Sequence, residues 1–105
     1  MLRICEVCLE LVKEVTVLAD LIGRHDRDLK RQVKKSSMSI VQNVGEGSAV
    51  RDGRRRTRYG DALGSAIETR CSLHAAAAVG YIPPLKPGLV NRFAHVIGTL
   101  VKVTR

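Results

Sequence analysis

Apolar side chains recur at spacings of three and four residues along four stretches of the chain, which predicts four amphipathic helices. The periodicity places them at residues 2–22, 27–46, about 54–79 and about 87–103. No stretch alternates as a strand would, and the connections between the helices are short. The pattern therefore predicts an all-α fold, with residues 1–105 forming one domain: an up-down-up-down antiparallel four-helix bundle.

The same spacing predicts which side chains face the core. The first and fourth helices are apolar over a wider arc than the roughly 100° that a bundle helix buries, so we expect the chain to form a homo-oligomer. The predicted inward rows are Ile4, Cys8, Leu11, Val15, Leu18 and Ile22; Leu29, Val33, Ser37, Ile40 and Val44; Ala62, Ala66, Thr69, Leu73 and Ala76; and Leu89, Phe93, Val96, Leu100 and Val103.

Residues at the predicted helix ends carry the usual start and stop signals. Gly23 and Gly80 follow the first and third helices, where glycine commonly forms the C-terminal cap. Asp26 precedes the second helix and can cap its amides, and either Asp52 or Thr57 can do so for the third.

The chain is strongly basic, with 18 Lys and Arg against 10 Asp and Glu, a net charge of +8. Such a balance favours an anionic partner, most often nucleic acid. The alternative is a protein-interaction scaffold whose charge serves solubility or an acidic protein partner. Aromatic residues make up only 3% of the chain, so binding by base stacking is not expected, and nucleic acid would be held mainly by its backbone.

Three cysteines cannot form a complete set of disulfides within one chain, so we expect reduced thiols and a cytoplasmic location. Charged residues interrupt the apolar first helix, which argues against a signal peptide or a membrane span.

The strongest candidate site is the short polar turn predicted to follow Gly45, Glu46 and Gly47, together with the arginines of that segment. Cations at the start of a helix oppose its dipole, which suggests selection for phosphate binding rather than for stability. The alternative is a solvated charged turn that nearby acids partly neutralise. We call the arginines of this segment the elbow: Arg51, Arg54, Arg55, Arg56 and Arg58.

A second basic cluster lies at the start of the second helix. The helix is long enough to separate the two clusters by about 30 Å, so they should lie at opposite ends of the bundle. The elbow should share its end with Arg3, Lys102 and Arg105. We call the second cluster the α2 basic face: Arg27, Lys30, Arg31, Lys34 and Lys35.

Other candidate chemistry is weak. Cys5 and Cys8, with Cys71 and His74, have a zinc-like composition, but in a bundle the two pairs would be offset by roughly 15 Å along the helix axes. Glu46 has no second carboxylate predicted beside it and is expected to accept hydrogen bonds from backbone amides or an elbow arginine. We therefore predict no enzymatic activity, no metal and no cofactor.

Several short motifs occur in an order and spacing that resemble one known family. They are Ser39-Ile40, the run from Asn43 through Glu46 to Gly47, Ala62-Leu63-Gly64-Ser65-Ala66 with Glu68, and Gly80-Tyr81-Ile82. The chain resembles the small bundle proteins named after intervening sequences of bacterial 23S ribosomal RNA genes, to which the accessory variability determinant proteins of diversity-generating retroelements are related. The family pattern has alanine where this chain has Gly45, and apolar residues near Arg58 and Asp61.

The resemblance implies a left-handed antiparallel bundle, a ring-like homopentamer and no enzymatic activity. For the retroelement members it also implies a basic surface that binds RNA and a partner reverse transcriptase. The motif residues expected to have structural roles are Asn43, Glu46, Gly47, Gly64 and Ser65.

Overall fold

The computed structural model describes residues 3–105, and across that range the chain forms four α-helices and no strand, which confirms the all-α prediction. The predicted first residue of the first helix, Leu2, lies outside the described part. The helices are α1 (Arg3–Ile22), α2 (Arg27–Ala49), α3 (Gly53–Ala78) and α4 (Pro87–Thr104).

The helices form a closed antiparallel bundle, 43 × 25 × 23 Å in extent. Each helix packs against its neighbours in sequence, and α4 returns to pack against α1. The contact between α2 and α3 is the most extensive, and the contact between α1 and α4 is the smallest. This topology places the α2–α3 connection at the same end of the bundle as the last turn of α4.

The predicted core row of α3 is correct at every position, the α2 and α4 rows each differ at one residue, and the α1 row differs at two. Ile4 in α1 and Leu29 in α2 are only partly buried against the core. In α1, Ala19 is buried where Leu18 was predicted. A regular 3.6-residue helix drifts against a strict heptad, which moves the buried position by one residue. In α4, Val103 is 46% exposed, because the last turn extends past the core.

The observed termini match three of the predicted signals. Asp26 accepts a hydrogen bond from the Leu29 amide at 2.9 Å, and Asp52, rather than Thr57, caps α3 by accepting one from the Arg54 amide at 2.9 Å. Gly80 has a φ of 85° and ends α3 in the left-handed conformation that glycine tolerates best.

Gly23 follows the end of α1 as expected, but the predicted reason was wrong. Among residues 3–105 only Gly80 has a positive φ, so Gly23 is not a left-handed cap. A methyl group at Gly23 would lie 2.5 Å from Cδ of Lys30, so glycine makes room there for a side chain of α2.

The predicted end of the second helix at residue 46 is too early, because α2 continues through Gly45 and Gly47 to Ala49. Gly47 is buried under the ring of Tyr59, which packs across from the second turn of α3. A short connection then leads to Gly53, the first residue of α3. The packing of a ring on a bare stretch of helix keeps this segment helical despite its low intrinsic propensity.

Candidate nucleic-acid interface

The elbow lies at the end of the bundle where α2 stops, α3 starts and α4 ends. Arg56 Nε donates a hydrogen bond to the carbonyl oxygen of Thr104 at 2.9 Å, which joins the elbow to the last turn of α4. The predicted proximity of the elbow to the C-terminal residues of the chain is therefore confirmed.

Arg55 has a structural partner that the sequence did not reveal. Its Nε donates to the carbonyl oxygen of Gly47 at 3.1 Å, and its Nη2 donates to that of Ser48 at 3.3 Å. These carbonyls belong to the last turn of α2, which has no intrahelical donors for them. Arg55 is half-buried and satisfies them across the connection.

The contacts of Arg55 and Arg56 show that the positive charge of the elbow interacts with the dipoles of three helices, not one. Cations at the N-terminus of α3 oppose its dipole, but the same cations lie at the C-termini of α2 and α4, where positive charge is favourable. The antiparallel topology brings these three helix ends together. Sequence reasoning considered only the helix on which the arginines stand.

Two further elbow arginines are paired with acids. Arg54 contacts both carboxylate oxygens of Asp52, and its side-chain hydrogen bond lowers the pKa of that carboxyl. Arg58 Nε lies 3.2 Å from Oε2 of Glu46, which supplies the arginine partner expected for this acid. Arg51 is exposed and makes no side-chain hydrogen bond or ion pair to any other residue in the described range.

The α2 basic face lies at the other end of the bundle, in the first nine residues of α2. The Nζ atoms of Lys30 and Lys34 lie 3.3 and 3.4 Å from the same oxygen of Asp20, at the end of α1. The hydrogen bond from Lys30 and the charge of Lys34 lower the pKa of the Asp20 carboxyl. Arg31 pairs with Asp28, while Arg27 and Lys35 are exposed with no ion-pair partner between residues 3 and 105.

This end contains a concave site of about 350 Å³, which we call the Gly23 pocket. Its walls are formed by four cationic side chains, and its remaining lining residue has no side chain. The lining residues are Gly23, Arg27, Lys30, Arg31 and Lys34.

The motif residues between the two ends form a polar seam where α2 meets α3. Asn43 Nδ2 donates to the carbonyl oxygen and to Oγ of Ser39, at 3.0 and 3.1 Å. Ser65 Oγ donates to Ser39 Oγ at 2.9 Å, and Thr69 Oγ1 donates to Ser36 Oγ at 2.7 Å. Small hydroxyl side chains let the two backbones approach closely and still satisfy one another's hydrogen bonds.

Gly64 has a different position from the other motif residues. It is exposed on α3, and a methyl group added to it would have no neighbour within 4 Å in the described chain. Packing within one chain therefore gives no reason for glycine at this position.

The cysteines are dispersed through the bundle. Cys8 is buried, and burial together with the nearby Cys5 raises the pKa of its thiol to about 12. Cys71 is exposed on α3. Within residues 3–105, no three His, Cys, Asp or Glu side chains are close enough to hold a metal ion.

None of the four helices, as described from Arg3 onward, is both long and apolar enough to cross a membrane.

Comparisons with known proteins agree with this architecture. A family model described as 23S rRNA-intervening sequence protein matches residues 1–95. The fold is similar to the crystal structure of a protein of unknown function from the S23 ribosomal protein family of Bacteroides thetaiotaomicron VPI-5482. The TM-score is 0.82 at 17% identity, over 97% of this chain and 98% of the other. No curated protein matches the chain at a significant level.

Proposed function

We propose that this chain, which belongs to the family of 23S rRNA-intervening sequence proteins, is a non-enzymatic bundle that binds structured RNA through its two basic ends. In this proposal the elbow and the α2 basic face both contact phosphates. The family description links the protein to ribosomal RNA genes, and the charge distribution supplies a surface suited to a polyanion.

The observation that carries the proposal is the separation of charge along the bundle. Residues 20–35 hold six Lys and Arg against three Asp, a net charge of +3 at one end. Residues 46–61 hold five Arg against three acids, a net charge of +2, and Arg3, Lys102 and Arg105 add three positive charges at that end. The remaining residues are balanced, so the whole net charge of +8 belongs to the two ends.

The aromatic side chains support binding to the RNA backbone rather than to bases. Tyr59 and Phe93 are buried, and Tyr81 is stacked on His25 with ring centroids 5.0 Å apart. A stacking platform for unpaired bases requires exposed rings. RNA should therefore be bound through phosphates, with strong dependence on salt.

Self-association is the second part of the proposal. Exposed apolar side chains lie on α1 and α4, including Leu9 at 40%, Val17 at 64% and Val90 at 40% exposure. We propose that they pack between copies of the chain, in the homopentamer that the family resemblance implies. Repeating each basic end in an oligomer would raise the avidity for RNA without new contacts.

If the chain acts with a retroelement, we propose that its protein partner is a reverse transcriptase. We also propose a cytoplasmic location, which the free cysteines support. The second candidate function, a protein-interaction scaffold without a nucleic-acid role, is favoured by the same exposed apolar side chains on α1 and α4.

Fluorescence anisotropy with a labelled RNA hairpin across a salt series tests RNA binding directly. We expect a log–log salt slope steeper than about −4 for the native chain. The Arg51→Gln/Arg54→Gln and Lys34→Gln/Lys35→Gln pairs remove two charges from each end. Each pair should weaken binding and make the slope shallower by roughly 2. Arg55 and Arg56 are left intact because they hold helix ends.

The matched control is Lys13→Gln/Arg92→Gln, which removes two charges from the middle of the bundle, where Lys13 is paired with Glu10 and Arg92 with Glu14. If this pair weakens binding as much as the end variants do, only net charge matters and the ends are not the interface. If the native chain binds no RNA at ~50 mM salt, the RNA proposal is wrong and the scaffold function remains.

A further inference from the structure

The cations of the Gly23 pocket differ from Arg55 and Arg56 of the elbow in the kind of group to which they are bonded. At the elbow, Arg55 and Arg56 donate to backbone carbonyls, and these hydrogen bonds belong to the fold. In the pocket, every hydrogen bond or ion pair of a cationic side chain is to an exposed carboxylate. Exposed pairs of this kind are weak, so an incoming anion can replace them without disturbing a helix end.

The shape of the pocket depends on Gly23. The Lys30 side chain lies over the bare backbone there, in the space that a methyl group would occupy. Lys30 is consequently less exposed than Lys34, at 37% against 44% of the side chain, and its ammonium group is held near the wall of the pocket. The volume of about 350 Å³ corresponds to roughly ten water molecules, which is ample for one hydrated phosphate group.

Asp20 is the acid that pairs with two of the cations lining the pocket. One of its oxygens lies within 3.4 Å of both lysine ammonium groups, yet Asp20 is not itself part of the pocket lining. The first-turn amide of Leu29 is already capped by Asp26, and four of the five residues that line the pocket contribute cationic side chains.

We propose that the Gly23 pocket is a subsite for one phosphodiester group of the bound RNA, and that Asp20 limits the affinity by pairing with Lys30 and Lys34. This inference rests on the proposed RNA-binding function and names where and how one phosphate is held. On binding, the phosphate oxygens take over the two ammonium groups together with the unpaired Arg27.

The test is a gain of affinity, which a misfolded variant would not produce. Asp20→Asn frees both lysines, and we expect RNA to bind about three- to tenfold more tightly at low salt. The slope of log affinity against log salt should become steeper by about 1. The matched control is Glu10→Gln: Glu10 stands on the same helix, has 57% side-chain exposure against 58% for Asp20, and is also paired with a lysine.

A loss-of-affinity variant completes the experiment. Arg27→Gln/Lys34→Gln should weaken RNA binding and cancel the gain when it is combined with Asp20→Asn. Equal effects of Asp20→Asn and Glu10→Gln would overturn the subsite, because the gain would then reflect net charge alone. That outcome would leave RNA binding by the native chain intact, whereas absence of native binding would overturn the proposed function and the subsite together.

Discussion

Gly47 and Gly45 stand two residues apart in α2 and should respond in opposite ways to the same substitution. Gly45 is exposed, and a methyl group there would have no neighbour within 4 Å. At Gly47 the added methyl carbon would lie 2.7 Å from both Cδ1 and Cε1 of Tyr59. Carbon atoms in ordinary contact are about 3.5–4.0 Å apart, so the ring would have to move by roughly 1 Å.

Tyr59 has little freedom to make that movement. Its side chain is 8% exposed, and its hydroxyl group lies 3.2 Å from Ser48 Oγ, on the same turn of α2 as Gly47. Overpacking of this kind costs about 1–3 kcal/mol. Replacing glycine by alanine inside a helix contributes about 1 kcal/mol of stability at either position, so the difference between the two variants isolates the packing cost.

We therefore expect Gly45→Ala to raise the free energy of unfolding by about 0.5–1 kcal/mol. The free energy of unfolding of Gly47→Ala should be about 1–3 kcal/mol lower than that of Gly45→Ala. Urea denaturation followed by far-UV circular dichroism measures both.

A double-mutant cycle identifies the ring as the cause. In a Tyr59→Leu background the smaller side chain leaves room for the methyl group, so Gly47→Ala should become less destabilising by at least about 0.5 kcal/mol. If Gly47→Ala stabilises the native chain as much as Gly45→Ala does, the packing of Tyr59 on Gly47 does not explain why glycine stands there.

Three further predictions concern the elbow and the thiols. Arg55→Met should lower the free energy of unfolding by about 1 kcal/mol, because the last carbonyls of α2 lose a donor, whereas Arg51→Met should leave denaturation unchanged; equal effects would contradict the capping role. Arg54 lowers the pKa of Asp52, so the ionised carboxylate stabilises the fold above its ordinary pKa of 3.8, and this stability is lost as the pH falls through the lowered value. The thermal midpoint should therefore drop below about pH 4, less so in Asp52→Asn, and an equal drop in both proteins would refute the assignment. Iodoacetamide at neutral pH should label exposed Cys71 well before buried Cys8, whose thiol has a pKa of about 12, as mass spectrometry of timed samples would show; equal rates would contradict its burial.

The sequence predicted the core better where side chains are small and the spacing is unambiguous. Every predicted core position of α3 is buried, from Ala62 to Ala76, because polar and exposed residues leave only one stripe that can face inward. In α1, where apolar residues cover most of the surface, periodicity could not decide between Leu18 and Ala19. The choice depends on the drift of a regular helix against the heptad, which only the packed structure shows.

The position of the candidate site was predicted correctly, but the hydrogen-bond partners of two of its arginines were not. The elbow lies where topology placed it, and Glu46 has the arginine partner expected for it. The capping roles of Arg55 and Arg56 were missed because their acceptors are carbonyls of other helices, and backbone carbonyls leave no trace in sequence composition. The antiparallel topology, once predicted, was the available signal, since it brings the ends of α2 and α4 beside the start of α3.

The unequal helix contacts have a consequence for the order in which the bundle opens. α2 and α3 share the largest contact and a short connection, so they form the most local and most protected pair. α4 follows a proline-containing connection and meets α1 along the smallest contact, with the Glu14–Arg92 ion pair across it. Detachment of α4 is thus the least costly partial unfolding, and hydrogen exchange should report weaker protection for α4 amides than for those of α2 and α3. A second copy of the chain that covers the seam between α1 and α4 would suppress this opening. Self-association would then be visible as slower hydrogen exchange of α4 amides in the middle of the bundle, away from the two basic ends.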